Sequence, residues 1–340
     1  MQVRKVDSKF LIAMGVLFLS GFAVLMIAQA QAPHRSTIAI ATSGVEGFGI
    51  FLLDPQKPAA AAEHLLEVEG DPIPGGLEWS PDGNTIAFHT QIGQNIEIFV
   101  VDGDGNGLKQ LTDHEAEDSW PAWHPSGQKL AFTSNRDGNL EIYTMTMGGE
   151  VIANLTNDPA PDKNPAWSPN GRNIAFTTKR GRTLSDIWLM DSAGGNLKNL
   201  TNHKGEDLTP SWSWDGEKIA FTTRRFGAGR TMRMDADGEN LLKISARQVP
   251  RLDPEFSPDG KEIANVWFGG GQTRLHIWPS DGGLADADEH AAPVWKEIAL
   301  GFPSAGPAWF DPDFVVPFSV AATDKRPLSW GWLKKAGAEK

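Results

Sequence analysis

Two sets of residues recur in this chain at spacings that could support metal binding or recognition. The first set lies two positions beyond a Leu-Thr pair and consists of His114, Asp158 and His203. The second set lies three positions before a proline and consists of Asp118, Asp162 and Asp207. Imidazole and carboxylate groups bind a metal only when they converge, so the fold decides what each set can do.

Other chemistries have little support. The chain has no Gly-x-Ser-x-Gly nucleophile elbow and no His-Glu-x-x-His pair. It has no Cys, which excludes disulfides, thiol catalysis and Cys-ligated metals. The letters from Asp102 to Asn106 match the start of a calcium loop, but the same stretch fits a hairpin turn, which we favour. We expect no cofactor and no bound metal.

The net charge of −12 argues against general nucleic-acid binding, which requires a basic face. Gly and Pro are frequent, at 36 and 23 residues, but they occupy turn positions of an internal repeat. The elements that must position the charged residues are therefore those of the repeat.

The repeat has a period of about 44 residues, which predicts a propeller or a solenoid. Its first landmark is an aromatic residue at Trp79, Trp123, Trp167, Trp212, Phe256 and Trp309. An Ile-Ala-Phe type triplet follows each of the first five aromatic residues and also occurs near the start, at 38–40. Each landmark appears about six times. Each copy resolves into four short strands, a to d, separated by Ser-Pro-Asp-Gly and Asp-Gly turns. The prediction is an all-β, six-bladed β-propeller of four-stranded antiparallel blades.

The first blade is predicted to contain only strands b, c and d. Its strand a is predicted to come from the other end of the chain, at 306–309, so that the two ends close the ring and remove exposed sheet edges. The propeller would then span 37–309. Residues 310–340 are predicted to form a strap packed on the last blades, with a docking tail as the alternative.

The repeat resembles a known family. The pattern Asp-x-x-Pro-x-Trp-Ser-Pro-x-Gly at 162–171, the Ile-Ala-Phe strand and the closing Leu-Thr are similar to the WD-like propeller repeat of the TolB family. The resemblance covers nearly all of 37–309 and implies an interaction scaffold in the cell envelope. TolB carries an additional α/β domain ahead of its propeller. Here the first strand is predicted within a few residues of an export signal, so we expect no such domain.

Residues 1–30 have the layout of that export signal. Arg4, Lys5 and Lys9 precede an apolar run, and small residues follow at Ala28 and Ala30. Cleavage after Ala30 is expected, and an uncleaved membrane anchor is the alternative because the run approaches the length that spans a bilayer. The expected location is periplasmic or secreted.

Within a blade, strand a is innermost, and strands lie about 4.8 Å apart. The set containing His114 lies beside the outermost strand d, too splayed to share a metal. The set containing Asp118 is predicted to converge at one mouth of the channel as a partner-binding cluster, on the face of the d–a loops and b–c turns. An Asp that only braces its own loop is the structural alternative. The full predicted partner-binding set is Asp118, Asp162, Asp207, Arg251, Arg136, Arg180 and Arg225. The last three Arg residues are also expected to pair with nearby carboxylates in surface interactions of little energetic value.

The sequence thus predicts an exported, monomeric, non-catalytic scaffold that binds a protein or peptide partner in the cell envelope, with no nucleic acid and with membrane contact only through an uncleaved N-terminal segment. One alternative is an enzyme acting on an extracellular polymer, such as a polysaccharide lyase or hydrolase with a channel-bound cation. Another is a purely structural envelope component. Fold analogy cannot select among them.

Overall fold

The computed structural model describes residues 37–43, 48–54, 63–68, 74–227, 229–245, 253–269, 272–282, 296–299 and 308–310. The predicted export signal, Arg251 and the predicted strap from residue 311 onward lie outside these ranges. The described ranges form strands joined by turns and loops. They contain no helix that is long and apolar enough to cross a bilayer.

The strands form six four-stranded antiparallel sheets, the blades. From strand a to strand d, blade 1 consists of β24 (Ala308–Phe310), β1 (Thr37–Ser43), β2 (Phe48–Leu53) and β3 (Glu63–Val68). Blade 2 consists of β4 (Gly75–Trp79), β5 (Thr85–Ile92), β6 (Asn95–Asp102) and β7 (Lys109–Gln110). Blade 3 consists of β8 (Asp118–Trp123), β9 (Lys129–Ser134), β10 (Glu141–Thr146) and β11 (Val151–Asn154). In the same order, blade 4 consists of β12 (Asp162–Trp167), β13 (Asn173–Thr178), β14 (Asp186–Asp191) and β15 (Lys198–Asn199). Blade 5 consists of β16 (Asp207–Trp212), β17 (Lys218–Thr223), β18 (Arg230–Asp235) and β19 (Leu242–Lys243). Blade 6 consists of β20 (Glu255–Phe256), β21 (Glu262–Gly269), β22 (Gln272–Pro279) and β23 (Lys296–Ala299).

The ring closes as the sequence predicts. Strand β24 pairs antiparallel with β1, and Trp309 lies opposite Ile38. Strands a of successive blades contact one another around the whole ring, including β20 with β24 and β24 with β4. The predicted six-bladed propeller, completed by a C-terminal strand a, is confirmed.

The repeated sequence landmarks have local explanations. The Thr of each Leu-Thr pair ends strand d, and its hydroxyl accepts the amide hydrogen of a strand c residue, as Thr112 does from Ile98 at 2.9 Å. The Ser of each Ser-Pro-Asp-Gly turn bonds the carboxylate within it, as Ser80 does with Asp82 at 2.6 Å. The turn Gly, such as Gly83 at φ 68°, takes the left-handed conformation that Gly tolerates.

The core is divided among the interfaces between neighbouring blades. One cluster joins Ala122 and Ala131 of blade 3 to Trp167, Ile174 and Phe176 of blade 4. The small Ala of the triplet in one blade therefore accommodates the bulky side chains of the next. Each blade buries its apolar faces only through its neighbours, so stability depends on ring closure.

Two faces are named below by their connections. The turn face carries the a–b and c–d turns, for example 80–83 and 102–107. The loop face carries the d–a loops and b–c turns, for example 113–117 and 135–140. The stretch from Asp102 to Asn106 is a c–d hairpin turn, since Asp102 N–H donates to Asn106 O at 2.9 Å. The hairpin interpretation is confirmed.

Candidate functional site

Strand a does not run as a regular strand through the blade. In blades 2 to 5 its register with strand b shifts in mid-strand, as between Ser119 and Ala122. The residue three positions before the aromatic landmark has positive φ in all four blades: Gly76 (57°), Trp120 (53°), Asn164 (53°) and Thr209 (49°). A bulky or β-branched residue rarely adopts this conformation, so the bulge must be held by tertiary contacts.

Bonds between blades hold the bulge. The backbone N–H of Asn164 donates to Thr133 Oγ1 of the preceding blade at 3.1 Å, and Thr209 N–H donates to Thr177 Oγ1 at the same distance. At the contact between blades 2 and 3, His89 takes the place of the Thr, and its Nδ1 accepts a hydrogen bond from Trp120 N–H at 3.2 Å. The strain of the three non-glycine residues, Trp120, Asn164 and Thr209, is therefore matched by a specific bond to the preceding blade.

His89 fits because its own blade has two glycines opposite it. A Cβ on Gly75 would lie 2.7 Å from His89 Nε2, and a Cβ on Gly76 would lie 2.8 Å from His89 Nδ1. Burial lowers the pKa of His89 to about 4, so the ring is neutral at physiological pH.

The bulges form the floor of a cavity of about 240 Å³ in the channel. It extends from the level of Gly76 and Thr209 to the prolines of the a–b turns, at the turn face. It is lined by strands a of blades 2 to 6. Its aromatic and proline rings come from Trp79, Pro81, Trp120, Pro121, Trp123, Pro125, Pro165, Trp167, Pro169, Pro210, Trp212, Trp214 and Pro254. Such a wall is rigid and largely apolar, with few rotamers to order on binding.

Trp214 occupies the position that Pro occupies in the turns of the other described blades, such as Pro169 and Pro258. It belongs to blade 5, yet it packs against the hydrophobic cluster of blades 1 and 2 that includes Leu77 and Trp79. The indole therefore reaches across the channel at the turn face, where it borders the cavity.

Three carboxyl groups also line the cavity, those of Glu78, Asp253 and Glu255. Glu78 Oε2 accepts from Trp123 N–H at 2.9 Å, and Glu255 Oε2 accepts from Ser211 Oγ at 2.8 Å. Burial, followed by the charge of Glu255, raises the pKa of Glu78 well above its usual range. Burial likewise raises the pKa of Glu255 to about 8. At neutral pH Glu255 therefore favours its protonated form.

The predicted Asp and Arg residues lie on the loop face and pair within each blade. The side-chain distances are 2.8 Å for Arg136–Asp118, 2.5 Å for Arg180–Asp162 and 2.6 Å for Arg225–Asp207. All three Asp side chains are 0% exposed, and none of them lines the cavity. The expected pairing with carboxylates is confirmed, but the expected surface location is wrong, because the carboxylates are completely buried. Their role in partner binding stays a prediction, as does that of Arg251.

Each Arg also ties other parts together. The guanidinium carbons of Arg136, Arg180 and Arg225 lie 5.4, 5.7 and 5.8 Å from the ring centres of Phe132, Phe176 and Phe221, the last residues of the repeat triplets. Arg180 Nη2 also donates to Thr156 O of the preceding blade at 3.4 Å. Burial raises the pKa of Asp162, while the bond from Arg180 lowers it.

The set containing His114 lies on the d–a loops, as expected, and bonds to carboxylates at the start of strand c. His114 N–H donates to Glu97 Oε1 at 3.2 Å, and Asp158 N–H donates to Glu141 Oε1 at 2.9 Å. No group of three His, Asp or Glu side chains arranged to hold a metal occurs in the part of the chain that the structure describes.

The cavity and the place of Glu78 and Glu255 in it were not predicted from the sequence. A signal was present: the residue before the aromatic landmark is Ala122, Ala166 or Ser211 in three copies, but Glu78 and Glu255 in two others. The second signal was Trp214 at a turn position that otherwise holds Pro.

The fold and channel define this protein as a six-bladed β-propeller whose strands a enclose a central cavity. A family model described as "TolB beta propeller domain" matches residues 62–182 and 153–275, more than half of the chain. The chain belongs to the TolB β-propeller domain family.

Solved structures agree on the fold. TolB from Acinetobacter baumannii superposes with a TM-score of 0.68 and 24% identity over 81% of this chain, and the match spans 66% of that chain, just under two thirds. A putative TolB from Agrobacterium tumefaciens gives 0.51 and 21%, over 62% of this chain and 88% of that one. A chain of a nidogen/laminin complex gives 0.60 and 12%, over 81% and 98%. A search of curated proteins finds no match.

Proposed function

We propose that this protein is an exported, non-catalytic scaffold that binds a peptide segment of a protein partner in the cell envelope, and that the channel cavity at the turn face receives the segment. The observation that carries the proposal is the cavity itself, with its wall of Trp and Pro rings and its carboxyl groups. The layout of the N-terminal sequence supports export, and the TolB resemblance supports the envelope role.

The volume of the cavity favours a peptide that inserts only one or two side chains over a ligand that must be enclosed as a whole. Pockets for small molecules commonly have volumes of about 300–1,000 Å³, and this one is about 240 Å³. That volume admits one or two large side chains from a segment lying across the mouth. Aromatic anchors in a preformed pocket are a common source of affinity in protein interfaces.

Trp214 allows a direct test. The Trp214→Pro variant restores the residue found in the other described turns and suits position two of a type I turn, so the fold should be retained. We would select peptides from a random displayed library on the mature protein. We would then measure the affinity of the enriched peptides for the variant by fluorescence anisotropy. Loss of one aromatic anchor should weaken binding by roughly 30-fold or more.

Pro258→Ala changes the equivalent turn of blade 6, which does not line the cavity, and serves as the matched control. Enriched peptides that bind Trp214→Pro as well as they bind the unmodified protein would refute the cavity as the peptide site. The predicted loop-face residues can be tested with the same peptides, since Arg136→Gln should leave cavity binding unchanged.

The carboxyl pair favours one alternative, an enzyme that cleaves an extracellular polymer. A carboxyl group with a raised pKa beside a second carboxyl group is an arrangement found in glycoside hydrolases. The test is release of reducing or unsaturated ends from a panel of envelope polysaccharides by the mature protein. Activity that disappears in both Glu78→Gln and Glu255→Gln would establish the alternative and overturn the scaffold proposal.

A further inference from the structure

Positive charge on the loop face is concentrated in one sector. The b–c turns of blades 2 and 3, residues 93–94 and 135–140, have no net charge. The corresponding turns of blades 4 and 5, residues 179–185 and 224–229, carry three and two basic residues and no acidic ones. Arg180 and Arg225 are paired with buried Asp residues. Of the other three, Arg182 contacts Asp186 at 3.5 Å and Arg224 contacts Glu206 at 2.5 Å, and Lys179 is exposed.

Lys163 extends this charge toward the channel. It lies on β12 opposite Thr177, two residues before Lys179, and its side chain is half-buried. Burial lowers the pKa of Lys163, and Lys179 and Arg224 lower it further, whereas Glu206 raises it. Lys163 thus feels two cations, Lys179 and Arg224, and one acid, Glu206, which Arg224 contacts at 2.5 Å. Folding gathers like charges here at a free-energy cost that a bound anion would relieve.

Apolar side chains lie on the same two turns. Leu184 and Phe226 are 42% and 53% exposed, and they are among the few large hydrophobic side chains exposed in the described ranges. The guanidinium of Arg230 lies 5.9 Å from the Phe226 ring centre. Lys163, Lys179, Arg182, Leu184, Arg224 and Phe226 are called the basic sector below.

We propose that the basic sector is a second docking surface, on the face opposite the channel cavity, and that its occupant is an acidic protein segment carrying apolar side chains. Charge complementarity gives the sign of the occupant. Exposed Leu and Phe beside the cations favour a peptide over a bare polyanion, since apolar and aromatic contacts characterise the cores of protein interfaces. The proposal does not depend on the channel site.

The distribution of charge also limits the size of the occupant. The chain as a whole carries −12, so an extended polyanion would be repelled outside the sector. Lys163 lies on the innermost strand and is half-buried. A flat anionic surface, such as a membrane, that contacts the b–c turns at the outer edge of the loop face therefore does not reach Lys163. A short extended segment running from the rim toward the channel contacts both Phe226 and Lys163.

The probe is a short synthetic peptide rich in Glu with interspersed Leu and Phe. Its comparison peptide has Gln in place of every Glu. Fluorescence anisotropy on the mature protein should show binding of the Glu peptide that weakens as ionic strength rises, and at least tenfold weaker binding of the Gln peptide. Lys179→Glu combined with Arg224→Glu should reduce affinity for the Glu peptide by at least tenfold.

Arg172→Glu is the matched control, because it reverses an exposed charge on the turn face and should leave the affinity unchanged. Phe226→Ser should weaken both peptides equally, which identifies the apolar contact. Equal binding of the Glu and Gln peptides, or an equal loss with Arg172→Glu, would overturn the proposal. It would also fail if phosphatidylglycerol vesicles, but neither peptide, bound in a manner sensitive to Lys179→Glu.

Discussion

At its loop-face end, strand a of blades 3 to 5 begins with a buried Asp that is paired with Arg, whereas at its turn-face end strand a of blades 2 and 6 carries a Glu that lines the channel. Asp118 is bound by Arg136 through both carboxylate oxygens, at 3.0 and 2.8 Å. Glu78 and Glu255 bond instead to a backbone amide and a Ser hydroxyl. Strand a therefore places carboxylates paired with Arg at its loop-face end in blades 3 to 5, and carboxyl groups bonded to neutral donors at its turn-face end in blades 2 and 6.

The difference separates stability from recognition. A buried carboxylate with its own guanidinium leaves little for a ligand to gain, and removing either member is costly. A carboxyl group in a cavity, held by neutral donors, retains capacity for further hydrogen bonds or a cation. The sequence presents both kinds as acidic residues near strand a, and only their partners distinguish them.

Both ends of strand a keep their places only in a closed ring, so opening the ring should cause the largest loss of stability. A chain ending at residue 300 lacks β24, which pairs with β1. The interface that joins Ile38 and Ile40 to Val266 and Leu275 of blade 6 would then loosen. Re-exposure of the two Ile side chains should cost about 3–6 kcal/mol. Thermal unfolding measures the loss, and a chain ending just after β24 is the control. Equal melting of the two chains would show that β24 does not stabilise the ring.

Breaking a loop-face pair should have the next largest effect. Arg180→Ala leaves Asp162 buried without its cation and should destabilise by about 3–5 kcal/mol in urea unfolding. Arg180→Ala combined with Asp162→Asn removes the uncompensated charge and should recover part of that loss. Arg172→Ala, on the exposed turn face, should change stability by less than about 0.5 kcal/mol. A loss below about 1 kcal/mol for Arg180→Ala would mean that the pairs are not structural.

The blade count and the ring closure could be predicted because they depend on repeated local patterns. Ile38 and Trp309 each match a repeat landmark, and no long-range geometry is needed to assign them to one blade. The partners of the Asp residues could not be predicted with the same certainty. Arg136 reaches Asp118 because Asp118 lies opposite Ser134 in the sheet register, and that register appears only in the fold.

The strand a bulges were hidden for another reason. Trp120 and Thr209 have strong β propensity and predict a regular strand, yet both adopt positive φ. Their conformation is imposed by bonds to the preceding blade, such as that from Thr209 to Thr177. Because the bulges shape the cavity floor, local patterns predicted the strands but not the site.

Neutralising a channel carboxyl group should act in the opposite sense to breaking a loop-face pair. The folded-state pKa of Glu255 is about 8, above its usual value of 4.5. The contribution of protonated Glu255 to the free energy of unfolding is therefore fully present below about pH 4.5 and is lost as pH rises toward 8. Glu255→Gln should remove this loss and stabilise the protein at pH 8 by about 2 kcal/mol. Urea unfolding at pH 5 and pH 8 measures the difference, with Glu217→Gln as an exposed control. Destabilisation by Glu255→Gln at pH 8 would mean that its charge is compensated.

The smallest expected effect concerns stability at acid pH and His89, which bonds the bulge residue Trp120. The pKa of His89 is about 4 in the folded protein, below its ordinary value of 6.5. The unfolded chain therefore takes up the proton first. The contribution of neutral His89 is present above about pH 6.5 and is lost as pH falls through 4. His89→Asn keeps an acceptor for Trp120 N–H and cannot titrate, so it should reduce the loss of stability between pH 6.5 and 4 by about 1–2 kcal/mol. His124, whose pKa burial also lowers to about 4, adds a second loss in this window. The relevant measurement is therefore the difference between His89→Asn and the unmodified protein across the window. If the stability difference between the two proteins is the same at pH 4 as at pH 6.5, His89 is not held neutral in the folded protein.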